Sequence, residues 1–353
     1  MPELYLGSSP HIGTSARTQT IMAQVLIALA PAAIFGVVLY GLPALGVIVV
    51  SAVSAAAGEA LFRRILRLPN RSADLSAAVT GLLLALILPP STPLWMAALG
   101  AVFAVVVAKE FFGGLGANVF NPALIGRAFL LMSFPVAITQ WTIPGPGISE
   151  AALSGADAVS AASGLSLDTI SGATPLGIIK LGGTPLDVAR HFTAVGLSTE
   201  ATFPELVTTL FLGSHGGSIG ESSILLILAA CLYLLAMKVL DWRVPAAMIL
   251  SVFAFSFILG LNPVFAVLAG GLVFGAVFMA SDYTTAPLTA GGKLIFGAGA
   301  GIITVLIRKW GNYPEGVTFG ILIMNAVTPF LNRLLQKKYG YVKKPRKPPE
   351  AGV

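Results

Sequence analysis

One cysteine, Cys231, is all that the 353 residues contain. A single thiol inside an apolar run excludes an intrachain disulfide, a cysteine-ligated zinc site and any iron–sulfur cluster built by this chain alone. Charge is scarce too, at 10% of residues, where a soluble domain carries roughly a quarter. The three histidines, His11, His191 and His215, are scattered over the N-terminal arm and connecting segments. Their separation predicts polar surface positions and no metal centre. No cleavable signal peptide is expected either, because the first apolar run opens near Ile21 and leads into further runs.

What fills the chain is apolar: 56% of residues are hydrophobic and the mean hydropathy is +0.88. Such a chain needs lipid around it, and its length allows about ten spans of ~20 residues. Apolar runs lie at 21–40, 43–62, 73–90, 94–112, 123–139, 222–240, 244–260, 264–281, 293–308 and 316–335. Several are short and hold Gly and Pro, which lipid-facing backbone tolerates only where neighbours satisfy the freed groups. Tilted or broken helices around a buried site are therefore expected. The net charge of +6 does not point to nucleic acid, since the basic residues sit at the ends of apolar runs and not on one face.

Those basic residues orient the spans. Arg63, Arg64, Arg67 and Arg71 fill the second connection, Lys238 and Arg243 flank the sixth, and Lys337, Lys338, Lys343, Lys344, Arg346 and Lys347 crowd the tail. Ten spans put all three groups on the cytoplasmic side, with both termini. Segment 140–221 then lies outside, and its seven acids against Lys180 and Arg190 agree with that. Arg308 and Lys309 break the rule by landing outside. The tail, rich in Lys and Pro, is disordered by composition and attracted to anionic headgroups.

The halves look related. Gly81-Leu82-Leu83-Leu84 leads to Lys109, Gly113-Gly114 and Val119-Phe120, while Gly271-Leu272-Val273-Phe274 leads to Arg308-Lys309, Gly311, Glu315-Gly316-Val317 and Phe319. Five spans in each half would invert the second copy, and inverted repeats place the functional site at their interface. The expected fold is thus an all-α polytopic membrane protein of about ten transmembrane helices. Its parts are a cytoplasmic arm (1–20), a first five-helix repeat (21–139), an extracytoplasmic loop segment (140–221), a second repeat (222–336) and a basic cytoplasmic tail (337–353).

Asp168-Thr169-Ile170-Ser171-Gly172-Ala173-Thr174-Pro175-Leu176 is the most informative stretch. Small residues at 171–173 leave the Thr174 hydroxyl open, Gly172 permits turn geometries closed to other residues, and Pro175 favours extended backbone at Thr174. By itself this is also what an ordinary polar turn looks like. Gly113-Gly114-Leu115-Gly116 could pass for a phosphate loop, but no βαβ unit surrounds it. A helix break with close backbone approach to a neighbour or to a bound ring is the better account, with Asn118 and Asn121 supplying amide hydrogen bonds where unsatisfied polar groups are expensive. Glu59, Glu110 and Asp282 are candidate ion ligands, since acids within the membrane are functional candidates by default. Glu110 is preferred, because Glu59 has Arg63 one turn away at ion-pair spacing.

The string Ser171-Gly172-Ala173-Thr174-Pro175-Leu176 resembles the flavinylation motif shared by the Rnf complex D subunit and its homologue, the B subunit of the sodium-pumping NADH:quinone reductase. Lys109–Ala123, Gly217–Ser223 and Gly311–Val317 resemble further family signatures in the right order, so the likeness covers nearly the whole chain. Ser281-Asp282-Tyr283-Thr284-Thr285-Ala286-Pro287 departs from the family's usual Thr-Asp-Pro, which bears on the geometry of that loop. The resemblance implies FMN joined to Thr174 by a phosphoester, with Asp168, Ser171, Gly172 and Ala173 read by an extracytoplasmic flavin transferase. It also implies a non-covalent riboflavin in some members, placed near Gly113, Gly114, Asn118 and Asn121, so that the ring approached by the glycine backbone would be a flavin. Partners would be the A, B, C, E and G-type subunits of a redox-driven Na+ or H+ pump in a bacterial inner membrane. Alone, the chain would carry electrons without catalysing turnover. Two alternatives stand beside this: the quinone-reductase homologue, and a transporter or channel with no redox role.

Overall fold

The computed structural model describes residues 17–69, 74–142, 174–194, 198, 200–213, 215–311, 313 and 315–335. Every regular element among them is helical. Two long helices open the chain, α1 (Thr18–Tyr40) and α2 (Leu42–Ile65). They are followed by α3 (Ser76–Ile87), α4 (Leu94–Val106) with a 3-10 turn at Glu110–Phe112, α5 (Pro122–Ser133) and the single-turn α6 (Pro135–Ile138). Among the described residues, three helices then fall between the two apolar halves: α7 (Pro175–Lys180), α8 (Pro185–Ala194) and α9 (Phe203–Leu212). The second half holds α10 (Ile224–Ala236), α11 (Arg243–Ile258), α12 (Pro263–Leu268), α13 (Leu272–Phe274) continuing as a π turn to Met279, α14 (Ala290–Trp310) and α15 (Val317–Leu335).

Among the described residues, five stretches are long and apolar enough to cross a membrane: α1, α2, Leu94–Phe112, α14 and Val317–Leu334. Shorter apolar helices lie beside them, α3, α5, α9, α10 and α11 among the described residues. Broken spans occur where expected. In run 264–281, Gly270 and Gly271 take φ of +70° and +60°, a conformation glycine adopts without strain, and they end α12 before α13 begins. Local chemistry sets the starts. Asn121, Thr174 and Asn262 each cap the next helix with a side-chain oxygen, and each is followed by proline at the first helical position, where its missing N–H is no loss.

Small residues bring the helices together, as they must where lipid tails compete equally for apolar contact. A Cβ on Gly81 would stand 2.5 Å from the Ser51 carbonyl oxygen, so α3 lies directly against α2. Gly126 seats α5 on α4, Gly297 and Gly301 seat α14 on α11, and Gly320 seats α15 on α14. The halves meet where α1 packs on α10 and α5 on α15. Large apolar side chains such as Ile34, Val38, Val53 and Leu61 point outward, the arrangement that lipid favours.

Segment 140–221 departs from the loop read in sequence. Its described residues form α7, α8 and α9, joined with α12 through a core of Leu176, Val188, Ala189, Phe192, Leu206, Leu210, Phe265 and Ala269. Val188, Ala189 and Phe192 share one face of α8, a helical spacing masked by the acids and prolines around it. A capping box starts α8: Thr184 N–H and Oγ1 donate to Asp187 Oδ2 at 2.8 and 2.7 Å. The Thr184 amide, with its hydroxyl, holds the Asp187 carboxyl below its ordinary range. The box therefore stabilises at pH above the usual carboxylate value and is lost on acidification below it.

Gly81 supplies a test of this packing. Gly81→Ala is expected to lower stability by about 1–3 kcal/mol through overpacking, read as a lower thermal midpoint in detergent. Gly58→Ala, whose Cβ would meet Val102 at an ordinary 3.4 Å, should leave the midpoint unchanged or raise it.

Candidate functional site

Thr174 stands at the start of α7 with φ −62° and ψ 153°, the extended backbone that a following proline demands. Its Oγ1 accepts a hydrogen bond from Gly177 N–H at 3.0 Å, and the residue is 8% exposed. The openness expected from its small neighbours is thus corrected: Thr174 is buried and lines a cavity shared with Arg127, Trp141 and Glu315. Asp168, Ser171, Gly172 and Ala173 lie outside the described residues. At the other end of α7, Lys180 Nζ donates to the Arg308 carbonyl at 2.9 Å, so both ends of this short helix are tied down.

The cavity beside Thr174 encloses about 360 Å3 and is walled by Thr174, Gly177, Arg127, Trp141, Tyr313, Glu315 and Phe319, among others. Tyr313 and Phe319 lean on each other with ring centroids 5.5 Å apart. Aromatic walls with a few convergent polar groups are the makeup of a site for a flat organic ligand.

Arg127 is the charged centre of this wall. It projects from α5 and pairs with Glu315, which precedes α15, and with Glu221, which precedes α10, the latter at 3.5 Å. Arg308, buried at the end of α14, gives its donors to carbonyls: Glu315 at 3.0 Å, Ala269 at 3.1 Å, Gly270 at 3.2 Å and Ala266. It thereby satisfies the carbonyls freed where α12 stops. Sequence reasoning did not single out Arg127, Glu221 or Glu315 as site residues. The available signal was an arginine inside apolar run 123–139, where a charge requires a partner.

A second ionic cluster belongs to the first half. Lys109, 1% exposed, donates through Nζ to Glu59 Oε2 at 2.7 Å and to Ser76 Oγ at 2.6 Å. Arg63 lies 3.6 Å from Glu59 and 3.1 Å from Glu110. The structure therefore brings together two of the candidate ion ligands, Glu59 and Glu110, but with two cations already in place. A metal ion would have to displace Lys109 or Arg63 to reach either carboxylate.

Asn118, Asn121 and Asp282 share a different, smaller cavity of about 90 Å3 that Lys109 also borders. Asn118 donates to the Phe120 carbonyl and to Thr284 Oγ1, both at 3.2 Å. Asn121 caps α5 and donates to Met279 O at 3.4 Å. Asp282 accepts from Thr284 N–H and Oγ1 at 3.2 and 2.8 Å, which is the geometry this loop takes in place of Thr-Asp-Pro. Gly113, Gly114 and Gly116 have φ of +110°, +93° and +94°. A Cβ at Gly113 would meet only Ala117, at 3.5 Å, and one at Gly116 nothing within 4 Å. At these two positions left-handed backbone calls for glycine, and the close approach to a neighbouring residue expected there is not found. Gly113 and Gly114 do not border the small cavity.

His215 also differs from expectation. It is 5% exposed, because the Phe192 face of α8 and the chain around Tyr40 close over it; Tyr40 Oη donates to its carbonyl at 3.1 Å. His191 is half-buried on α8, and His11 lies outside the described residues.

The profile of the NQR2, RnfD, RnfE family matches residues 5–340. A Clostridium ljungdahlii protein, the D subunit of a proton-translocating ferredoxin:NAD(+) oxidoreductase complex, is 42% identical over 95% of this chain and 96% of its own length. An Acetobacterium woodii protein, the D subunit of the Na(+)-translocating counterpart, is 38% identical over 96% of each chain. The D subunit of an ion-translocating oxidoreductase complex from Stutzerimonas stutzeri is 39% identical over 91% of each.

The first-half cluster makes a direct prediction. Lys109→Met leaves a buried carboxylate short of a partner and should destabilise by about 3–5 kcal/mol. Adding Glu59→Gln should recover part of that loss, measured as the thermal midpoint of single and double variants in detergent.

Proposed function

The chain belongs to the NQR2, RnfD, RnfE family, and from that premise we propose that it is the D-type membrane subunit of an ion-translocating ferredoxin:NAD+ oxidoreductase, carrying FMN on Thr174. The relatives' names support membership of a redox-driven pump. The observation that carries the flavin assignment is the coincidence of Thr174 with an aromatic-walled cavity of about 360 Å3. The residues present fit the group. Thr174 Oγ1 is the attachment oxygen, Trp141, Tyr313 and Phe319 offer stacking surfaces, and Arg127 offers a cation for a phosphodiester. FMN, when bound, supplies the electron-accepting chemistry; the protein supplies position and dielectric. A non-covalent riboflavin beside Asn118 and Asn121 is kept in the proposal as an expectation of the resemblance.

The relatives at 42% and 38% identity are named for different ions, H+ and Na+, so overall likeness does not choose the coupling ion, and either fits this reading. Ten spans as two inverted repeats (21–139 and 222–336), with 140–221 outside and both termini cytoplasmic, is the topology that places Thr174 where a flavin transferase works. Buried Lys109 after α4 and buried Arg308 ending α14 support the repeat, each being a cation held at the close of an equivalent helix. Inverted five-helix repeats also serve transporters without redox centres, and the flavin separates the two readings.

When the chain is expressed with a flavin transferase, the denatured protein band should fluoresce. Thr174→Val should abolish that fluorescence while leaving at least the rest of the fold intact, at about 1 kcal/mol for the lost cap. Thr174→Ser keeps hydroxyl and cap and should retain some of it. A non-fluorescent wild-type band would remove the redox reading. An enzymatic reporter active only outside the cytoplasm should be active when fused after residue 155 and inactive when fused after residue 345.

A further inference from the structure

A second cavity borders Thr174, of about 20 Å3, lined by Thr174, His215, Glu221, Gly270, Gly271 and Glu315. That is room for about one water molecule, and the wall is polar enough to hold one. Glu221 lies directly on the broken backbone before α13: a Cβ on Gly271 would stand 2.1 Å from its Oε1. Only glycine at 271 leaves the carboxylate that position. His215 faces the same space, nine-tenths buried, and its Nδ1 has no hydrogen-bond partner among the described residues.

Two acids share one guanidinium here. Arg127 pairs with Glu315 and, at 3.5 Å, with Glu221, while Arg308 directs its donors to backbone carbonyls. Glu221 is the more buried of the two acids. Around it stand Arg127 from α5, Arg308 from α14, Glu315 before α15, Tyr40 from α1 and, from its own segment, His215 and the Ser218 hydroxyl. Burial, aided by the charge of Glu315 and opposed by Arg127, pushes the Glu221 carboxyl up to about 7. Burial pushes His215 down, so its ring is neutral at that pH.

We propose that Glu221 is a redox-linked proton-binding site: it takes up one proton when the group tethered at Thr174 is reduced and releases it on reoxidation. This rests on the assignment of FMN to Thr174. On reduction an O–H bond forms at one Glu221 oxygen, the proton coming from the aqueous phase bathing segment 140–221. On reoxidation that bond breaks and the proton returns. The electrons are delivered and withdrawn by flavin or iron–sulfur partner proteins, and no bond to Thr174 changes. The driving force is electrostatic, since charge added in a low-dielectric site favours protonation of a neighbouring carboxylate. His215 Nδ1 and the small cavity connect Glu221 to the cavity at Thr174.

The test is a redox titration of the tethered flavin in the flavinylated, assembled complex, in a pH series bracketing neutrality. In the wild type, the dependence of midpoint potential on pH should change slope near pH 7. E221Q should lose that break, E221D should keep it at a shifted pH, and E315Q should move it to lower pH by removing a neighbouring negative charge. An unchanged break in E221Q overturns the inference. Redox-difference infrared spectroscopy of the wild type needs no variant. A carboxylic-acid C=O band appearing on reduction supports the inference, and its absence in a flavin-loaded protein overturns it. A wild-type protein without flavin on Thr174 overturns the assignment beneath it as well.

Discussion

In lipid, no water is available to satisfy a charge or a freed backbone group, so each must find its partner inside the protein. This constraint shapes the first ionic cluster, and burial makes the same demand of the second. In the first half, Glu59, Arg63, Lys109 and Glu110 neutralise one another, with Ser76 taking a further donor of Lys109. In the second cluster, Arg308 satisfies the carbonyls left where α12 ends, and Arg127 binds Glu221 and Glu315. The first cluster fixes helices within one half. The second ties α5 of the first half to the approaches of α10 and α15, and so lies where the halves meet.

That difference bears on function. A cluster closed on itself, two acids with two cations, is a lock. The Arg127 cluster borders both cavities at Thr174, and in it two acids share one guanidinium. The groups that join α5, α10 and α15, elements from both halves, thus stand beside Thr174. On the proposed assignment, the flavin would sit at this seam, the place an inverted-repeat pump would use.

Much of this was legible in the sequence, and for physical reasons. Each of the ten apolar runs holds a helix because apolar length is a strong signal. The ion pair of Glu59 with Arg63 follows from one-turn spacing, and extended backbone at Thr174 follows from Pro175. What was not legible depends on distance in sequence. Arg127 meets Glu315 across 188 residues, a pairing no local pattern reveals. The helices α7 to α9 were hidden because they are only 6 to 10 residues long and each buries only two or three residues. His215 was misplaced at the surface for the same reason: its cover comes from α8 and from Tyr40 of α1, far away in the chain. The glycines at 113–116 stand where the helix breaks, as expected, and at 113 and 116 left-handed backbone calls for them where no neighbouring residue comes close.

The central claim is that Thr174 carries FMN through a phosphoester in the assembled protein. Peptide mass spectrometry of the protein purified from a cell that makes the flavin transferase tests it most directly. The peptide containing Thr174 should gain the mass of an FMN phosphoester, with fragmentation assigning it to that threonine. An unmodified Thr174 peptide in a protein that is otherwise folded and assembled would contradict it.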